Sequence, residues 1–180
     1  DQIPPNEIAS TLFKEAAAVS GIEDIWKGIR DEANRICLTA IPYFEKAFEK
    51  IPAENKRERL KHAIKLAVLG NNFDIGTNVH NGNISEEDVQ KSIDELDQLQ
   101  FAFDDFELFW DDIINEKKKN ILVLLDNAGE IAFDRLLIRT LKEFGKKILA
   151  VVKDAPISND AIMDDALAVG INNECEVITT

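Results

Sequence analysis

Residues 121–134, ILVLLDNAGEIAFD, run five apolar side chains straight into Asp126, Asn127, a glycine and Glu130, after which an apolar pattern resumes at helical spacing. A short unbroken apolar run is what a parallel strand covered on both faces requires. The segments after it repeat the alternation. The helix pattern GEIAFDRLLIRTLKEFG ends at Gly145, KKILAVVK reads as a second buried strand, NDAIMDDALAVG closes as a helix at Gly170, and CEVITT reads as a third strand. This is β-α-β-α-β. Connections of this length within one sheet are right-handed and join parallel strands. Residues 117–180 therefore predict an α/β core, a Rossmann-like three-layer parallel sheet.

Upstream, residues 1–116 show only helical periodicity and predict an all-helical region. Ile8, Leu12, Ala16 and Val19 recur every three to four residues, as do Ile25, Ile29, Ala33, Ile36 and Ala40, and each set predicts an inward face. Prolines at 4, 5, 42 and 52 and the pair Ser20-Gly21 punctuate these helices. The run KRERLKHAIK leads into a face of Leu60, Ile64, Ala67 and Val68 that stops at Gly70, and SEEDVQKSIDELDQL carries an N-cap serine and an acidic first turn. Phe101, Phe103, Phe106, Phe109 and Trp110 form an aromatic stretch that reads as packing material.

The 21 basic and 34 acidic residues leave a net charge of -13, which repels a phosphate backbone or an anionic bilayer. Neither nucleic acid nor membrane is expected as a partner. The two cysteines, Cys37 and Cys175, stand far apart without metal-binding spacing and read as buried thiols of a reducing compartment. No apolar run approaches the roughly 20 residues of a membrane span, and the first residues, DQIPPNEIAS, do not resemble a signal peptide. A cytoplasmic protein is the expectation.

Open parallel sheets hold ligands at the carboxyl ends of their strands. Here one such end is Asp126-Asn127-Ala128-Gly129-Glu130 and the next is Lys153 through Asn159-Asp160. Neighbouring strands would bring Asp126, Asn127 and Asp160 together, a hard oxygen set suited to Mg²⁺ or Mn²⁺, with Lys153 offering a positive charge to a phosphate. Helices starting near Gly129 and Asn159 would point N–H groups into the same crevice. On spacing alone, helix capping is the simpler reading of Asp126 or Asn159 and needs no metal. A third polar cluster, GNNFDIG, places Asn71 and Asp74 between two glycines, where a C-cap and loop is the simpler reading.

Taken in this order, GNNFDIG, DNAGE and KDAPISND resemble the signature stretches of the damage-control phosphatase family, also called domain of unknown function 89. PPNEIA, GIEDIWKGIRDEAN and AIKLAVLGNN resemble its archaeal and bacterial branch, so the likeness spans nearly the whole chain. The resemblance implies a divalent-metal-dependent phosphatase acting on small phosphorylated metabolites, such as damaged or surplus sugar phosphates or phosphopantetheine-like compounds. It implies a cofactor of Mg, Mn, Co or Ni on Asp126, Asn127 and Asp160. Asp126 would attack or bridge the metal, Lys153 and Asn71 would stabilise charge on the phosphoryl oxygens, and Asp74, Gly129, Glu130 and Asn159 would line the substrate side. Branch members carry an N-terminal Cys-x-x-Cys and continue beyond a strand like CEVITT, features this chain does not show. A sheet edge left open there would invite pairing into a homo-oligomer. A catalytically silent binding or assembly module is the competing expectation. A methyltransferase is disfavoured, because no glycine-rich loop follows the first strand and Lys153 stands where its acidic residue belongs.

Overall fold

The structure, a computed structural model, describes residues 3–71 and 86–180. Helix α1 (Pro5–Ser20) opens with a proline, whose missing N–H costs nothing in a first turn, and ends at Gly21 in a left-handed conformation with φ 70°. Helix α2 (Lys27–Phe48) runs through Pro42, and α3 (Lys56–Gly70) starts where the Asn55 side chain accepts from the Glu58 N–H. Helices α4 (Glu86–Gln98) and α5 (Phe106–Ile114) follow. Strand β1 (Asn120–Leu124), helix α6 (Glu130–Lys142), strand β2 (Lys147–Val152), helix α7 (Met163–Val169), a short 3₁₀ turn and strand β3 (Glu176–Thr179) complete the described chain.

The three strands form a parallel sheet in the order β1-β2-β3, with Leu122 opposite Leu149 and Val151 opposite Ile178. The parallel α/β unit and the helical region preceding it are as the sequence predicts. One hydrophobic core runs through both regions, uniting Cys37 and Phe44 of α2 and Leu60 and Leu66 of α3 with Ile131 and Phe133 of α6 and Ile148 and Ala150 of β2. Phe44 meets Phe133 edge to face at 5.4 Å. Helices α3 and α6 approach closely because Gly70 has no side chain: a Cβ there would lie 2.9 Å from Phe133 Cδ2. On the aromatic stretch, Phe106 stacks on Trp110, which meets Phe144 at 5.7 Å, so this segment packs α5 against the end of α6.

Several expectations are corrected: Pro42 starts no helix but lies inside α2, Ile25 and Ile29 are exposed and do not join the inward face that Ala33, Ile36 and Ala40 form, and in the aromatic stretch Phe103 and Phe109 face solvent while Phe106 and Trp110 pack. Strand β1 is not covered on both faces among the described residues: Ile121 and Val123 turn to the core, while Leu122 and Leu124 are 58% and 72% exposed. The predicted inward face of α1 is open as well, with Leu12 and Val19 at 62% and 87%; α1 docks instead through Phe13, edge to face on Trp26 at 5.6 Å. In α3 the buried stripe is Leu60, Ala63, Leu66 and Leu69, while Val68 is exposed. The stripe turns because Gly70 must face α6.

Candidate active site

Beyond the sheet, the exits of β1 and β2 are laced together. The Leu125 N–H continues the ladder onto the Val151 carbonyl at 2.9 Å, the Ala161 N–H donates to the Asp126 carbonyl at 2.6 Å, and the Ala128 N–H donates to the Asn159 carbonyl at 2.9 Å. Asn127 and Asp160 thereby face each other as an antiparallel bridge pair. The loop from Lys153 folds back on itself, with the Lys153 N–H donating to the Ala161 carbonyl at 3.0 Å. Within that loop Ser158 holds φ at 52°, a left-handed conformation that costs a non-glycine residue about 1 kcal/mol.

This lacing assembles the side chains. Lys153 Nζ lies 3.5 Å from Asp160 Oδ2. Glu130 accepts from two amides, Asn71 Nδ2 at 3.2 Å and Asn127 Nδ2 at 3.3 Å. Donation by both nitrogens leaves each amide's Oδ1 turned away from Glu130 and able to accept or ligate. Burial raises the Glu130 carboxyl above its ordinary pKa, the Asn127 amide offsets part of that rise, and the neighbouring Asp126 charge adds to it. Burial also raises Asp160, Lys153 opposes it, and Asp126 again pushes upward. One turn along α6, burial together with Glu130 and Asp126 pushes the Asp134 carboxyl up to about 8. The centre is acidic, and the Lys153 ammonium pairs with its Asp160.

Asp126, Asn127 and Asp160 fit a divalent cation in kind. They offer two carboxylates and an amide oxygen, and their mutual repulsion is what a cation would relieve. Among the described residues no group of three or more His, Cys, Asp or Glu side chains forms a metal cage. An amide in the donor set is consistent with that result.

Some expected parts stand elsewhere. The Gly129 N–H does not point into the crevice: it donates to Asn34 Oδ1 at 2.8 Å in the buried interior. Ile131 and Ala132 N–H groups are used by the carbonyls of Asn127 and Gly129. The first turn of α6 thus spends these N–H groups on the protein. No helix starts at Asn159, because α7 begins at Met163; Asn159 contributes its carbonyl to the lacing. Asp74 lies outside the described residues.

The structure also shows a polar chain that sequence reasoning did not single out. Asp165 is buried and accepts from Arg30 Nε at 2.9 Å, Asn34 Nδ2 at 2.8 Å and the Ile162 N–H at 3.0 Å. Arg30 also grips Asp24, and this contact holds the Asp24 carboxyl below its ordinary pKa. Arg30 and Asn34 sit one turn apart beside Ala33 and Cys37 of the buried face, and polar residues bordering an apolar stripe were the available signal. On the far side of the β2 exit loop, Ala155 and Pro156 close a mostly apolar cavity of about 470 Å³ against Phe13, Ala17 and Trp26. Lys153 and Asp160 do not line it.

A family model described as the damage-control phosphatase ARMT1-like domain matches residues 1–180. The chain is 32% identical over 176 residues to an uncharacterized protein of Methanocaldococcus jannaschii, covering 98% of this chain and 55% of that protein. It is 27% identical over 173 residues to a protein of Archaeoglobus fulgidus named damage-control phosphatase, covering 96% of this chain and 56% of that one. In three dimensions it matches a crystal structure titled as a DUF89 family protein from Pyrococcus horikoshii, with a TM-score of 0.77 at 24% identity, over 95% of this chain and 55% of that one. That last likeness is one of fold. The chain spans about half the length of the curated relatives it matches.

Proposed function

We propose that this chain, which belongs to the damage-control phosphatase ARMT1-like family, forms the metal- and phosphate-binding part of a phosphatase acting on small phosphorylated metabolites. The bridge between Asn127 and Asp160 carries this assignment, since it joins two strand exits whose side chains match one chemistry. A divalent ion of the Mg, Mn, Co or Ni type, held by Asp126, Asn127 and Asp160, would neutralise and polarise the phosphoryl group. Lys153 places its ammonium beside Asp160, where it can meet phosphoryl oxygens as negative charge shifts between them. Asp126, exposed at the β1 exit, would be the carboxylate that attacks or orients water. Glu130 fixes the Asn71 and Asn127 amides, so their carbonyl oxygens are presented without a search of rotamers.

Hydrolysis of a generic aryl phosphate with each metal tests the proposal. Asp126→Ala and Asp160→Ala should each lower the rate at least about a hundredfold, while Asp104→Ala, in a surface ion pair with Lys61, should leave it unchanged. Equal rates in all three variants would sink the assignment. Calorimetry showing no uptake of any of the four ions at millimolar concentration would sink its metal.

A further inference from the structure

We propose that Asn34 is a positioning residue for this centre: its side chain fixes the turn that carries Asp126 and Asn127 by tying the Gly129 N–H to the buried Arg30–Asp165 pair. The inference deepens the phosphatase proposal and rests on it for its catalytic meaning.

Gly129 holds φ 89° and ψ -59°, outside the helical and extended regions that other residues favour. A Cβ at Gly129 would lie 3.1 Å from both Ala33 Cβ and Cys37 Sγ, so the turn is pressed directly onto α2. At that contact the Gly129 N–H would be buried without water, at a cost of about 1–3 kcal/mol if unpaired. Asn34 Oδ1 takes it at 2.8 Å. An amide that accepts on one side must be held by its donor on the other, and Asn34 Nδ2 donates to Asp165 Oδ1 at 2.8 Å. Asp165 is in turn fixed by Arg30 Nε and by the Ile162 N–H ahead of α7. The direction of each bond is therefore determined: the Gly129 N–H donates to Asn34, the Asn34 amide donates to Asp165, and Arg30 donates to Asp165 from the other side. Rotating the Asn34 amide would set its NH₂ against the Gly129 N–H and its oxygen against a carboxylate. One side chain of the helical region thus sets the height and direction of the turn at which β1 ends, together with the start of α7 beyond Asp160.

The chain's polarity supplies its own test. Asn34→Ala removes the acceptor. Asn34→Asp keeps the acceptor but opposes two carboxylates, and adding Asp165→Asn restores a donor between positions 34 and 165. Ile113→Ala, a core truncation at the far end of the sheet, serves as a destabilised control. Amide hydrogen exchange at Gly129 and steady-state aryl phosphate hydrolysis are measured on each protein. Expected are a protected Gly129 amide in the parent and exchange at least about tenfold faster in Asn34→Ala than in the control at matched global stability. Also expected are a kcat lowered roughly ten- to a hundredfold with KM unchanged, and partial recovery of both readouts in the double variant relative to Asn34→Asp. A rapidly exchanging Gly129 amide in the parent overturns the proposal without any variant, and so does an Asn34→Ala protein indistinguishable from the control. A parent inactive with every metal overturns the phosphatase proposal instead, while the Gly129 exchange still decides the role of Asn34.

Discussion

Asp134 sits where burial and two neighbouring carboxylates penalise its charge. Its carboxyl titrates near 3.8 in an open chain but is pushed up to about 8 by burial, Glu130 and Asp126. Between those values unfolding releases a proton, so stability falls as pH rises through that window and levels off above it. Asp134→Asn removes the effect. The variant should match the parent near pH 4 and be more stable at pH 7 by on the order of 1–2 kcal/mol, since the side chain keeps part of its surface. Urea titrations at both pH values measure this, and a constant difference would contradict it. At the same scale, the position of Asp126, Asn127 and Lys153 at the strand exits was legible in the sequence because they close apolar runs, whereas Asp160 joins them through the folding back of the next loop. Asn34 and Asp165 were not, because the position of Asn34 beside the apolar stripe of α2 does not tell which residue 131 positions away its amide will meet.

Helices α3 and α6 press closely together where Gly70 meets Phe133. Any Cβ there must push the Phe133 ring out of a core it shares with Phe44. Gly70→Ala should therefore cost about 1–3 kcal/mol, despite the general preference of helices for alanine. Chemical denaturation measures the loss, and a gain in stability would mean that the helices separate freely. Asn71, whose amide reaches Glu130, follows Gly70 directly, so strain at this crossing is transmitted to the candidate site. Element types were readable from periodicity, because periods of two and 3.6 residues demand different neighbours. Boundaries and faces were read less well where tertiary contacts decide. The start of α7 moved to Met163 because residues 159–161 are taken up by lacing to 126–128, and the stripe of α3 turned to bring Gly70 onto Phe133.

At the scale of the whole molecule, β2 is buried in the sheet while β1 packs Ile121 and Val123 against the core and leaves Leu122 and Leu124 exposed on its other face. Leu122 and Leu124 contribute little to folding while they face solvent. Exchanging both for Gln should shift the urea midpoint of this chain by no more than about 0.5 kcal/mol equivalent. A loss of 2 kcal/mol or more would show that something covers them in solution, and sedimentation would then tell whether it is a second copy. No helix of the described chain is long and apolar enough to cross a membrane.

The Arg30–Asp165 pair joins positions 135 residues apart, which gives the site a place in time. As the chain leaves the ribosome at roughly 5–20 residues per second, α2 is exposed for on the order of ten seconds before α7 is made. Until then Arg30 has Asp24 but not Asp165, Asn34 lacks the carboxylate its amide donates to, and the acceptor of the Gly129 N–H is not held in place. The contacts that run from Gly129 through Asn34 to Asp165 form only once α7 has been made, so a nascent chain that stops short of α7 carries Asp126 and Asn127 on a turn whose Gly129 N–H acceptor is not yet tied down.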